Sequence, residues 1–267
     1  MSTLVTGATG CVGRLVLTAL HSRGLSVTGA SRTSGVHLDW TDTSDWDVAL
    51  KGAERVFVVV PVGLGSRVVG FLERAAGAGV GRAVLVSAMG GLSADPEYAR
   101  AESRAAELFD TWTVLRPNWL DQDFTEGVFA RLARGRGGKL ELPVRKGTAV
   151  SFVDARDVAS VAVAALLEEG HHGREYELTG PQALTFKQVV RMTRGTESPV
   201  WRFKPVDEAG FYFRATDRGW GERYVDALNE RFAAAVAGRA AEVTGDVRAA
   251  LGRDPIPVAR FVRECTL

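Results

Sequence analysis

Thr3-Leu4-Val5-Thr6-Gly7-Ala8-Thr9-Gly10-Cys11-Val12-Gly13, at the start of the chain, decides the fold. Residues 4–6 read as a buried strand, and residues 12–22 carry apolar side chains at helical spacing. Between them, Gly7 permits a tight turn, Gly10 lets the backbone approach a pyrophosphate, and Gly13 lets helix and strand pack closely. The helix start adds N–H groups without helical partners and the positive end of its dipole. Thr6, Gly7, Thr9, Gly10, Cys11, Val12 and Gly13 are therefore expected to cradle a dinucleotide. The competing reading is a close-packed turn with no ligand.

The next strand, residues 26–30, chooses the nucleotide. An acid at its end would accept from a ribose 2′-hydroxyl and mark NAD. The chain instead has Ala30-Ser31-Arg32-Thr33. Arg32 can pair with a 2′-phosphate, with Ser31 and Thr33 as donors and Arg14 as a second cation, so NADP(H) is expected. A solvated loop arginine is the alternative for Arg32. Asp39, closing a short strand at 36–38, either accepts from the adenine amino group or caps a turn.

Outward from this unit, apolar strands alternate with helical patterns. Strands are expected at 55–60, 83–87 and 112–115, and helices at 42–50 (opened by an Asp/Thr cap), 66–78 and 97–109. Such alternation predicts a doubly wound α/β fold with a parallel sheet covered on both faces. Further on, helices are expected at 121–133, 155–168 (capped by Asp154) and 186–193 (capped by Thr185). Strands are expected at 150–153, 174–178 and 200–203, with a loop at 134–138. From Asp207 the pattern is helical and more polar, which predicts a small helical lobe. The expected organisation is one domain over 1–267. Its dinucleotide-binding core is 1–155, and 156–267 completes the core and forms the lobe.

Composition narrows the function classes. The chain has 267 residues, 46% hydrophobic and 24% charged, with a formal net charge of +1. No global field draws nucleic acid or acidic membranes. No apolar run approaches the ~20 residues needed to cross a bilayer. The first strand begins at once, which leaves no room for a signal peptide, so a cytoplasmic protein is expected. Cys11 and Cys265 are too far apart in sequence for a disulfide framework or a metal motif. Five lysines among 33 basic residues, with abundant Ala, Gly and Val, suggest a bacterial source. The expected partner is a small-molecule substrate, with no nucleic acid and no membrane, for a monomer or homodimer. His171-His172 reads as a solvated turn, and no metal site is expected.

Several stretches together resemble the NmrA-like atypical short-chain dehydrogenase/reductases. They are residues 6–13, Val36-His37-Leu38-Asp39-Trp40, Ala49-Leu50-Lys51-Gly52-Ala53, Trp112-Thr113-Val114-Leu115-Arg116-Pro117, Val153-Asp154-Ala155-Arg156-Asp157-Val158-Ala159 and Tyr176-Glu177-Leu178-Thr179-Gly180-Pro181. The segment at 238–247 is similar to the branch of the fungal ergot-alkaloid reductases, with NADPH:quinone oxidoreductases next. The resemblance implies a Rossmann-type sheet with a small, mainly helical C-terminal substrate lobe. It also implies NADPH as reductant, with an imine or iminium, enone or quinone as acceptor, in secondary metabolism. Some relatives bind the nucleotide and act as redox-sensing regulators, and that is the second reading.

In short-chain dehydrogenases the base is a Tyr followed four residues later by Lys. Here Tyr98 is followed by Glu102, so that chemistry is not preserved. An iminium or quinone carbon is already electrophilic, which leaves the protein a positioning role. Tyr98 is a substrate-contact candidate. Asp121 and Asp123, after the last core strand, would attract a cationic amine or relay a proton, or else are helix N-terminal acids. Val60 and Pro61 are expected beside the nicotinamide ribose, Pro117 beside its carboxamide, and Ser87 and Ala88 along the pocket. Trp119, Phe124, Phe211 and Trp220 would supply aromatic walls, the last two from a lid spanning 211–220. Arg116 reads as a structural tie between loops.

Overall fold

The first element, β1 (Ser2–Thr6), is an almost fully buried strand. It runs through the glycine turn into α1 (Cys11–His21), which buries Val12, Gly13, Val16 and Leu20 along one face. The structure, a computed structural model, describes residues 2–89, 96–134, 137–194, 196, 198–200 and 202–265. Next come β2 (Ser26–Ser31), β3 (Val36–His37), α2 (Trp46–Leu50), β4 (Arg55–Val59), α3 (Gly65–Gly77), β5 (Arg82–Val86), α4 (Pro96–Leu108) and β6 (Thr111–Pro117). A 3₁₀ turn (Asp121–Phe124) leads to α5 (Val128–Ala133), β7 (Lys139–Leu142), β8 (Ala149–Val150), α6 (Ala155–Leu167) and β9 (Arg174–Leu178). The remainder is β10 (Leu184–Thr185), α7 (Phe186–Met192), β11 (Arg202–Pro205), α8 (Glu208–Thr216), α9 (Glu222–Val236), a 3₁₀ turn (Arg239–Ala241), α10 (Asp246–Leu251) and α11 (Val258–Glu264).

Seven strands form the parallel sheet β3-β2-β1-β4-β5-β6-β9. β1 pairs with β2 on one side and β4 on the other, so the order reverses at β1, where open α/β sheets bind ligands. Helices on both faces cover continuous apolar strands. Val56, Phe57 and Val58 of β4 are fully buried, each stabilising the fold by about 1.5–3 kcal/mol. Two of the caps read from the sequence hold: Asp154 accepts the Arg156 amide at the start of α6, and Thr185 with Gln188 forms a capping box on α7.

The lobe has an aromatic core of Trp119, Phe124, Phe129, Phe152, Phe186 and Phe232. Its first residues lie at 119–152, ahead of the expected boundary at 155, while α6 and β9 return to the sheet. The lobe also holds two small sheets, β7 with β11 and β8 with β10. β7 lies just past residues read as loop, and its partner begins at Arg202, two residues later than the strand expected at 200–203. The strand expected at 150–153 is shorter, ending at Val150, with Val153 in an isolated bridge to Leu120.

Two expected helices are interrupted. Residues 42–50 are helical only from Trp46, because Asp42 accepts the Ser44 amide in a turn of its own. Residues 121–133 break at Gly127, where Asp123 accepts the Val128 amide and a Cβ on Gly127 would overlap the Asp123 carboxylate. His171 is not solvated: it is buried against the Tyr176 hydroxyl at 2.9 Å, and burial lowers its pKa. Among the described residues no helix is long and apolar enough to cross a membrane.

Candidate functional site

The carboxyl ends of β1, β4, β5 and β6 meet at one edge, and the glycine turn sits there. Gly7 has φ +62°, a left-handed conformation that suits glycine. Its carbonyl accepts the Gly10 amide at 2.8 Å, and the Ala8 amide ties the turn to Ala30 of β2 at 3.2 Å. A Cβ on Gly13 would overlap the Gly7 carbonyl, so the helix can approach the turn this closely only with glycine there. Gly10 is the exposed N-cap of α1 and offers no side-chain cap, and the first turn carries no acid. The amides at the start of α1 therefore face an open cradle with matching polarity, and the residues fit a pyrophosphate. Thr9 is exposed beside it, whereas Thr6 is fully buried and accepts the Val59 amide at 3.3 Å, stapling β1 to β4.

Arg14 departs from expectation. Its guanidinium is held bidentately by Glu126, at 2.8 and 2.5 Å, so it is not a free second cation for a 2′-phosphate. The partner lies 112 residues away and no local pattern announces it. Cys11 is partly buried beside the same Glu126. Burial, reinforced by that carboxylate, raises its thiol pKa and keeps it protonated.

At the end of β2, the Ser31 hydroxyl oxygen accepts the amides of Thr33 and Ser34 at 3.2 and 3.0 Å. This turn carries Arg32 outward, exposed and with no hydrogen bond or ion pair among the described residues. Asp39 accepts both the amide and the hydroxyl of Thr41, at 2.8 and 2.7 Å, which lowers its pKa. One oxygen of Asp39 is thus the organiser of a turn.

At the other end, the Val60 amide donates to the Val86 carbonyl at 2.9 Å, and Pro61 comes next. Ser87 and Ala88 run beside β6, with the Met89 amide donating to Pro117 at 3.0 Å. Tyr98, the substrate-contact candidate, is buried, and its hydroxyl donates to the Val60 carbonyl at 3.3 Å. Glu102 pairs with Arg116 at 2.6 Å and accepts from the Ser87 hydroxyl at 2.5 Å. Arg116 also holds Glu175 at 2.7 Å, so it ties α4 to β9 rather than loop to loop.

Of the expected aromatic walls, Phe124 and Phe211 lie inside the lobe core. Phe124 packs on Phe129 at 4.9 Å, and Phe211 meets Phe232 edge-on at 5.4 Å. Trp119 stacks on Phe232 at 5.1 Å and has the Arg231 guanidinium 3.7 Å from its ring. Trp220 is partly exposed, near Tyr224 and under Arg131. Sequence reading missed Arg231. Helical spacing puts it on one face with Tyr224 and Leu228, seven and three residues back, and an arginine on that packing face was the available signal.

The two acids differ from expectation. Asp121 is fully buried, and neither carboxylate oxygen has a hydrogen-bond partner among the described residues. Burial, then Asp154 and Asp157, push its pKa well above the ordinary carboxylate value, so it is disposed to be neutral. Asp123 accepts the Leu120 and Val128 amides at 3.1 and 3.2 Å, and burial raises its pKa too. Neither is an open carboxylate that would draw a cation.

The Asp121 environment has a stability consequence. An acid with a raised folded pKa favours the native state at low pH, and this advantage is lost as pH rises from the unfolded value of about 3.9 toward the folded one. Asp121→Asn should therefore be more stable than the parent at pH 7, by ~1 kcal/mol or more, with the gain vanishing near pH 4. Urea melts at both pH values check this. An equal gain at both, or a loss at pH 7, would mean that Asp121 is ionised in the fold.

The model of the NAD dependent epimerase/dehydratase family matches residues 3–75, from β1 through the glycine turn and α1 to α3. The (4-alkanoyl-5-oxo-2,5-dihydrofuran-3-yl)methyl phosphate reductase of Streptomyces griseus is 32% identical over 221 residues, covering 76% of this chain and 76% of that protein. The chain belongs to the NmrA-like atypical short-chain dehydrogenase/reductases. It is accordingly an NAD(P)H-dependent oxidoreductase. Another member, agroclavine dehydrogenase of Claviceps fusiformis, is 28% identical over 72% of each chain. The fold matches a crystal structure of Citrobacter sp. triphenylmethane reductase complexed with NADP(H), with a TM-score of 0.78 at 19% identity over 99% of this chain and 100% of that one. In this chain the residue four after Tyr98 is Glu102, and it is committed to Arg116.

Proposed function

We propose that this protein is an NADPH-dependent reductase of a small conjugated acceptor such as an enone or quinone. The observation that carries the reading is Arg32: an exposed, unpaired guanidinium at the end of β2, where an NAD-selecting acid would stand. NADPH, when bound, supplies the hydride. The amides at the start of α1 hold its pyrophosphate and Arg32 its 2′-phosphate. The ends of β4, β5 and β6, with Val60, Pro61, Ser87, Ala88 and Pro117, line the reducing end and orient it.

Glu102 is spent on Arg116 and Ser87, so no lysine-assisted tyrosine delivers a proton. A conjugated acceptor suits that loss, because hydride adds to a carbon already electron-poor and water can supply the proton. Asp121 is buried and the Asp123 oxygens are taken by two backbone amides, which weakens the support for a cationic iminium acceptor. The test is NADPH consumption, monitored by its absorbance, with quinones, enones and cyclic imines. Turnover of quinones or enones and none of imines is expected. NADPH that binds but is consumed with no acceptor would defeat this reading and favour a nucleotide sensor.

A further inference from the structure

Arg231 stands apart from the other partly buried arginines. Arg82 and Arg116 have side chains 14% and 19% exposed, and each pairs with at least one carboxylate. Arg156 pairs with Asp154 and Glu264. Arg231 has no hydrogen bond or ion pair among the described residues. Its guanidinium lies 3.7 Å from the centre of the Trp119 ring. The nearest acid, Asp123, has its oxygens on the Leu120 and Val128 amides. Desolvation lowers the pKa of Arg231, while Tyr98, Asp123 and Tyr224 act on it in the opposite direction.

A desolvated cation is costly unless something pairs with it. Tyr98 ties the location to the reaction edge: it is within electrostatic range of Arg231 and donates to Val60 at the end of β4. Arg223, which opens the same helix, has its Cβ 3.7 Å from where a Cβ on Gly63 would lie, just past β4. Trp119, under Arg231, follows the end of β6 by two residues, which places the guanidinium beside the carboxyl edge of the sheet. Five donors in a planar fork on an aromatic ring match a planar or tetrahedral oxyanion.

We propose that Arg231 anchors an oxyanion on the substrate, so that the acceptor is a conjugated molecule carrying a carboxylate or a phosphate. The identity of the anchored molecule as an acceptor rests on the reductase reading; the anion site itself does not. Trp119, buried between Phe232 and the guanidinium, holds the guanidinium in place.

The test uses the protein saturated with NADP⁺, which keeps anionic probes off the nucleotide cradle. Affinities for 2-naphthoate, 1-naphthyl phosphate and uncharged 2-naphthol are measured by calorimetry on the parent, Arg231→Met and Arg231→Lys. One or both anions should bind the parent about 10- to 100-fold more tightly than naphthol, and the tighter one tells carboxylate from phosphate. Arg231→Met keeps an apolar stem on Trp119 and should lose that advantage with naphthol unaffected. Arg231→Lys should retain part of it. If the parent binds naphthol as tightly as both anions, or binds none of the three, the proposal is overturned without recourse to a variant. It is equally overturned if Arg231→Met folds and keeps the preference. Absence of NADPH consumption in the acceptor panel would instead refute the reductase reading and leave these affinities as they are.

Discussion

Gly10→Asp should abolish NADPH binding while leaving the fold intact. Gly10 is the N-cap of α1 in an extended conformation (φ −78°, ψ 168°), and aspartate is among the favoured residues there. Its Cβ would come 3.1 Å from the Gly7 carbonyl, close enough to need a small shift but not to break the turn. The new carboxylate would then take the amides left for a pyrophosphate and set a negative charge beside two more. Juxtaposed like charges cost several kcal/mol, so affinity should fall about a thousandfold or more. Fluorescence titration with NADPH, alongside a thermal melt, checks both halves. A variant that melts like the parent and binds NADPH as the parent does would show that the turn does not hold the phosphates.

Arg32→Ala should separate the two nucleotides. Losing a charge-assisted contact to a phosphate costs about 1.5–3 kcal/mol, or roughly 10- to 100-fold in affinity. NADPH should weaken by that factor and NADH hardly at all, since NADH has no 2′-phosphate. Arg32 is exposed and pairs with no other described residue, so stability should be unchanged. Arg14 is the contrast, because Glu126 already occupies its guanidinium. Equal weakening of both nucleotides in Arg32→Ala would show that the arginine holds something other than the extra phosphate.

Where interactions are local, the sequence was readable. The glycine turn unites strand, turn and helix within 21 residues, and each glycine has a separate geometric reason. The caps at Asp154 and Thr185 act within three residues of themselves. Long-range pairings were not readable. Arg14 reaches Glu126 across 112 positions, and the Asp123 carboxylate breaks a helix by reaching forward to Val128. Burial direction was also hidden: Phe124 and Phe211 look like pocket walls by composition, and only the closing of the lobe turns them inward. Asp121 had an electrostatic reading in sequence that depended on exposure, and the packing of α6 reversed it. Arg231 meets Trp119 across 112 positions, and no local pattern announces that contact.

The reductase reading passes through one bound nucleotide, so the decisive experiment is calorimetric titration of the purified chain with NADPH and then NADH. One site per chain is expected, with NADPH bound about tenfold or more tightly than NADH. No heat with either nucleotide would refute the cradle, and equal affinity for the two would refute the role given to Arg32.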